Sequence, residues 1–195
     1  MDRAAAERAI ADFLRALGRD PSQDPELRET PKRVAEAFAD ELLVGYATDL
    51  ELLLREGSPA PRDPAGIVVV RDIAVATVCP HHLLSSLGHA IVAYRPGQRV
   101  LGLGTIARLV DACSRRLALQ ERIGEMVVDS LVRQGGARGA FCRITLRHSC
   151  LSARGARQAD ATVSTLASAG DLGDPTCAHE LARALGAGHA PSRWR

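Results

Sequence analysis

Two short stretches hold the chemistry of this chain: Cys79-Pro80-His81-His82 and, well downstream, His148-Ser149-Cys150. Cys-x-x-His is a zinc half-site, and a lone later cysteine completes it. That nominates Cys79, His82 and Cys150 as metal ligands. A structural zinc is usually closed by four protein ligands, whereas a catalytic zinc keeps one position for water. His81 and His148 are then left beside the metal without having to bind it. Imidazoles exchange protons near neutral pH, and a metal-activated water with such neighbours is the composition of a hydrolytic site. Adjacent histidines are costly to bury without partners, which favours ligation over burial. Cys113, Cys142 and Cys177 read instead as small core fillers. His89, His179 and His189 read as surface or satisfied core histidines.

A second group is polar. Gln120-Glu121-Arg122 falls between two helical patterns, where a glutamate suits a first helical turn. A carboxylate can also accept two parallel bonds from guanine N1–H and the 2-amino group. Arg33, Arg108, Arg154 and Arg157 are scattered, and arginine is suited to bidentate phosphate binding. Arg154 lies four residues past Cys150, near the presumed metal. Arg115-Arg116 and Arg193 read as solvated charges. The chain has no Walker-type phosphate loop, no Gly-x-Gly-x-x-Gly and no Gly-x-Ser-x-Gly elbow.

The 195 residues suit one domain with appendages. With 25 basic against 23 acidic residues, the net charge of +2 is too balanced to argue for nucleic acid or an anionic membrane. Aromatics at 3% leave little for base stacking. No run approaches the roughly 20 apolar residues of a membrane span, and the N-terminus lacks an apolar signal core. A cytoplasmic location is therefore expected. Five cysteines form no disulfide framework.

Those residues need elements to position them. The spacing of Ile10, Phe13, Leu14 and Leu17 predicts a helix over 2–17, stopped by Gly18. Thr30-Pro31 predicts a second helix with Thr30 as cap and Val34, Phe38 and Leu42 as its stripe. Residues 50–54 suggest a short third helix. Residues 56–66 read as a linker, dividing an N-terminal helical segment, 1–66, from a catalytic domain, 67–195. Strands are expected over 67–78 and 88–94, with 99–103 extended beyond the Pro96-Gly97 turn. Two helices follow, on Ile106, Leu109, Val110 and Cys113, then on Ile123, Val127 and Leu131, closed by Gly135-Gly136. A strand over 140–151 would place Cys142, Ile144, Leu146, His148 and Cys150 on one face. A weaker strand over 161–169 and a final helix capped by Asp174-Pro175 and stopped near Gly186 complete the chain. The class is α+β, with an antiparallel sheet in the order ββααββ and both helices on one face. Its two open edges invite closure by other subunits.

Taken together, these stretches resemble type I GTP cyclohydrolase. The carriers are Arg28 to Phe38, Cys79 to Leu84, Gly102 to Asp111, Arg115 to Ile123, His148 to Arg157 and His179 to Leu185, in the family's order. The resemblance implies a tunnelling fold whose sheets join into a barrel, commonly as a homodecamer with sites between subunits. It implies zinc on Cys79, His82 and Cys150, proton transfer by His81 and His148, guanine recognition by Gln120 and Glu121, and triphosphate binding by Arg33, Arg108 and Arg154. The implied reaction converts GTP and water to formate and 7,8-dihydroneopterin triphosphate, with water activated by the metal attacking C8 of the purine. The chain departs from the family's pattern at Pro80, where a glutamate is typical, and at Gly104-Thr105, where Ser-Lys is typical. Another guanine nucleotide as substrate, or a non-catalytic nucleotide-binding role, are the alternatives this leaves.

Overall fold

The computed structural model describes residues 1–60 and 66–186. Helix α1 spans Arg3–Ala16, opened by the Asp2 carboxylate accepting from Ala5 N–H at 2.9 Å. Gly18 ends it at φ 75°, a left-handed conformation open to glycine at little cost. Helix α2 spans Thr30–Glu36 and packs against α1. Thr30 is its first residue rather than its cap, and no side chain caps that end. The chain then widens into a π-helical turn, Ala37–Leu42, carrying Phe38 and Leu42. Helix α3, Leu50–Leu54, is capped by Asp49.

Strands β1 (Ser58–Pro59), β2 (Val68–Val78), β3 (Ser85–Arg95) and β4 (Arg99–Val100) come next. Among the described residues β4 pairs only with β1, and the expected extension to residue 103 stops short. Leu103 instead begins helix α4, Leu103–Ser114, followed by α5, Gln120–Arg133. Strand β5 is Gly139–His148, helix α6 Ser149–Ser152, strand β6 Val163–Gly170 and helix α7 Ala178–Leu185. The main sheet is antiparallel in the order β2-β3-β5-β6. With α4 and α5 packed on one face of it, this is the α+β, ββααββ arrangement of the tunnelling fold. Part of the anticipated linker, residues 61–65, lies outside the described residues, as do His189 and Arg193.

The helix-facing side of the sheet forms the core. Ile106, Leu109, Val110 and Cys113 from α4, and Ile123, Val127 and Leu131 from α5, are fully buried against Val92, Ala90, Cys142, Ile144 and Leu146. The stripes at i, i+3, i+4 and i+7 thus meet an alternating strand pattern. A smaller cluster of Ala93, Phe141, Leu172 and Leu181 seats the C-terminal helix on the opposite face. Gly88 lets β3 and β5 approach closely, since a Cβ there would lie 2.0 Å from the Thr145 carbonyl oxygen. Among the described residues no helix is long and apolar enough to cross a membrane.

Candidate active site

The site forms where the sheet ends. The β2–β3 connection is a tight turn, closed by Cys79 N–H donating to Leu84 O and Leu83 N–H to Cys79 O, both at 2.9 Å. Leu83 sits at φ 53°, an uncommon conformation for a branched residue. The turn exposes His81 and His82, whose rings meet edge-on at 6.2 Å between centroids. The last rung between β3 and β5 pairs Ser86 with His148. Immediately after it the chain leaves the sheet and coils into α6. Cys150 is therefore in a helical turn, not on the strand as its alternation suggests. β5 has no β3 partner beyond Ser86, and the freed carbonyls close locally, with Ala153 N–H donating to Ser149 O.

That turn carries Cys150 to the other two ligands. The donor atoms of Cys79, His82 and Cys150 all lie within 4.8 Å of one another. Cys79 Sγ and His82 Nδ1 are 3.8 Å apart, close to the roughly 3.6 Å edge expected for tetrahedral zinc with bonds of ~2.3 and ~2.1 Å. Burial, followed by the neighbouring Cys79 sulfur, raises the Cys150 pKa, while Arg154 opposes the rise. A cation held beside Cys150 would offset that rise. The cluster is positioned to coordinate a metal ion, and its Cys₂His donor set suits zinc. By contrast, Cys113 and Cys142 are buried in the core, which pushes their thiols up to about 11 and about 12. Cys177 is half-buried near α7.

Beside the ligands, His148 is held at both ring nitrogens. Its Nδ1 lies 2.9 Å from Ser86 Oγ, and its Nε2 lies 2.8 Å from Gln120 Oε1. Gln120 is buried at the start of α5, where its Nε2 donates to Ile144 O at 2.9 Å and Val163 O at 3.0 Å. The Gln120 amide thus joins α5, β5 and β6 to the histidine. Burial lowers the His148 pKa, and the nearby Glu121 carboxylate opposes that shift. Glu121 itself is exposed in the first turn of α5.

The arginines are more dispersed. Arg154 follows α6 and acts electrostatically on Cys150. Arg108 is on α4 and donates to Thr105 Oγ1 at 3.4 Å, a long contact. Thr105 is only 3% exposed, so the position where the family has lysine is packed inward within this subunit. Arg33 is exposed on α2. An apolar cleft of about 360 Å³ brings its neighbours Val34 and Ala35 together with Leu83 of the ligand turn. Among the described residues, no hydrogen bond links Arg33 or Arg108 to the ligands or His148. Arg115 and Arg116 are not simply solvated: Arg115 pairs with Asp111 and donates to Glu41 O, and Arg116 lies over the Tyr46 ring. His89 is half-buried in β3, and His179 is exposed on α7.

Ser86 is the site residue that the sequence pattern did not reveal. Its only signal is a small polar residue at an inward position of β3, and its partner becomes visible only once the register is known.

The family model for GTP cyclohydrolase I matches residues 6–185. Among curated relatives, a GTP cyclohydrolase 1 from Leifsonia xyli subsp. xyli is 43% identical over 189 residues, covering 97% of this chain and 98% of that protein. A GTP cyclohydrolase 1 from Chromobacterium violaceum is 44% identical over 172 residues, covering 88% and 82%. One from Mycobacteroides abscessus is 40% identical over 173 residues, covering 88% and 83%. Similarity that extends through every element of the site, from the ligand turn to α6, shows that this chain belongs to the GTP cyclohydrolase I family.

Proposed function

We propose that this protein hydrolytically opens the imidazole ring of GTP, releasing formate and forming 7,8-dihydroneopterin triphosphate. The observation that carries this reading is the convergence of three metal-ligand atoms within 4.8 Å beside a histidine held at both nitrogens. Cys79, His82 and Cys150 would hold zinc, whose Lewis acidity would make water nucleophilic near neutral pH. The chain's own groups do the rest. His148 gives a proton to the purine N7, which makes C8 electrophilic. His81, exposed in the ligand turn, exchanges protons during ring opening and the later rearrangement. Glu121 receives the guanine N1–H and 2-amino group with two charge-assisted bonds. Gln120 supports that recognition from the same helical turn. Arg33, Arg108 and Arg154 take the phosphates, and Arg154, the arginine that acts on Cys150, lies at the metal end.

The working form is a homodecamer, in which neighbouring copies close the sheet edges and bring the dispersed arginines to each site. Measuring formate release and pterin fluorescence from metal-loaded protein with GTP, GDP, GMP and guanosine tests this reading. Product from GTP in preference to guanosine is expected; formate release from none of the four would reject the reaction. A second reading, a guanine nucleotide with fewer phosphates, is favoured by the inward packing of Thr105. In that case GMP or GDP would be turned over as well as GTP.

A further inference from the structure

The orientation of the Gln120 amide can be assigned from its surroundings. Its Nε2 faces two backbone carbonyls, Ile144 O and Val163 O. Flipping the amide would place an oxygen against both of these acceptors, so the nitrogen belongs there. Gln120 Oε1 must then face His148 Nε2, at 2.8 Å, purely as an acceptor. The hydrogen on that contact has to come from the imidazole. In the neutral ring Nδ1 then has a lone pair, and it can only accept. Ser86 Oγ, 2.9 Å away and fully buried, is placed to donate to it. Thr77, opposite Ser86 across the β2–β3 register, makes no hydrogen bond through its hydroxyl. It therefore does not compete for the Ser86 proton.

We propose that Ser86 and Gln120 are positioning residues that hold His148 as the Nε2–H tautomer, with Ser86 donating to Nδ1 and Gln120 accepting from Nε2. This inference rests on the proposed reaction. Proton transfer to a purine ring nitrogen needs the ring held in one orientation, and in the free site the Nε2 hydrogen rests on Gln120 Oε1. The two partners also fix the ring plane, because Gln120 is anchored to two strands and Ser86 to the last rung of the sheet. Orientation of this kind acts on the chemical step more than on binding.

Magic-angle-spinning ¹⁵N spectra of zinc-loaded protein labelled at histidine give a direct reading, recorded at about pH 8, above the ordinary histidine range. The His148 signals are identified by their loss in His148→Asn. The wild type is expected to show a protonated Nε2 and an unprotonated, hydrogen-bonded Nδ1. In Ser86→Ala the Nδ1 signal moves toward that of a free imine nitrogen. In the same variant kcat for formate release falls by roughly tenfold with KM near wild type. A wild-type ring protonated at Nδ1, an unmoved Nδ1 signal in Ser86→Ala or an unchanged kcat in that variant would overturn the proposal. If wild-type protein releases no formate from GTP, the proposed reaction fails, while the nitrogen spectra still decide the tautomer.

Discussion

Cys142 and Cys150 share one alternation in the sequence and meet opposite environments in the fold. Cys142 lies in the core with its thiol pushed up to about 12, whereas Cys150 is carried by α6 to within ligand distance of Cys79 and His82. Thiolates, not thiols, react with disulfide reagents and metals. At neutral pH, Cys113 and Cys142 are thus expected to stay unmodified in the folded protein. Cys79 and Cys150 are expected to react after chelation and to be protected by zinc. A thiol titration before and after metal removal checks this. Elemental analysis gives a parallel test: Cys150→Ser should lose zinc and Cys142→Ser should keep it. The opposite pattern would relocate the metal. Glu121 belongs to the same scale. Glu121→Gln turns one acceptor oxygen into a donor, which should weaken guanine-nucleotide binding by about 1.5–3 kcal/mol. Isothermal titration showing unchanged affinity would reduce Glu121 to a helix-start carboxylate.

At the scale of elements, α4 and α5 stand or fall with the sheet face they cover. Ile144 lies at the centre of that face and is fully buried. Ile144→Ala should cost about 2–5 kcal/mol of stability, read as a lower urea midpoint with an unchanged slope. Gly88→Ala is the more severe change. Its Cβ would meet backbone at 2.0 Å, so soluble, folded yield should collapse; wild-type thermal stability would show that β3 and β5 can separate. These helices and strands were legible in the sequence because a period of 3.6 or 2 is written directly in their apolar positions. What was not legible depended on partners distant in the chain. Residues 101–103 looked extended, but among the described residues β4 finds only the two-residue β1 to pair with, and the chain turns into α4. The strand through Cys150 looked continuous, but β3 ends and the ladder ends with it. The metal ligands were readable from type and spacing. The Ser86–His148–Gln120 contact was not, because it joins β3, β5 and α5.

At the scale of the molecule, among the described residues the sheet has two unpaired edges, β2 and β6, and a second face only partly covered. Leu166 on β6 is 67% exposed, and Phe13 on α1 and Leu17 just past its end are 59% and 61% exposed. Open apolar side chains and bare strand edges suit burial by neighbouring copies in the proposed homodecamer. Leu166→Asp, at the edge, should break assembly without unfolding the subunit. Light scattering should then show particles much smaller than the proposed wild-type decamer, with far-UV circular dichroism preserved. A wild-type protein that is monomeric from the start would contradict the assembly. The ligand geometry also has a mechanical side. Cys79 and His82 belong to the turn between β2 and β3, and Cys150 to the turn following β5. An ion bound there is a rivet through two hairpins, joined at the one end of the sheet where no further rung holds them. Chelation should then loosen that end first. Amide exchange in apo protein should accelerate in residues 79–86 and 148–158, while β3 and β5 near Val92 and Cys142 stay protected. The same ion would then serve as reagent and as fastener, and loss of metal would register as local fraying before it registers as unfolding.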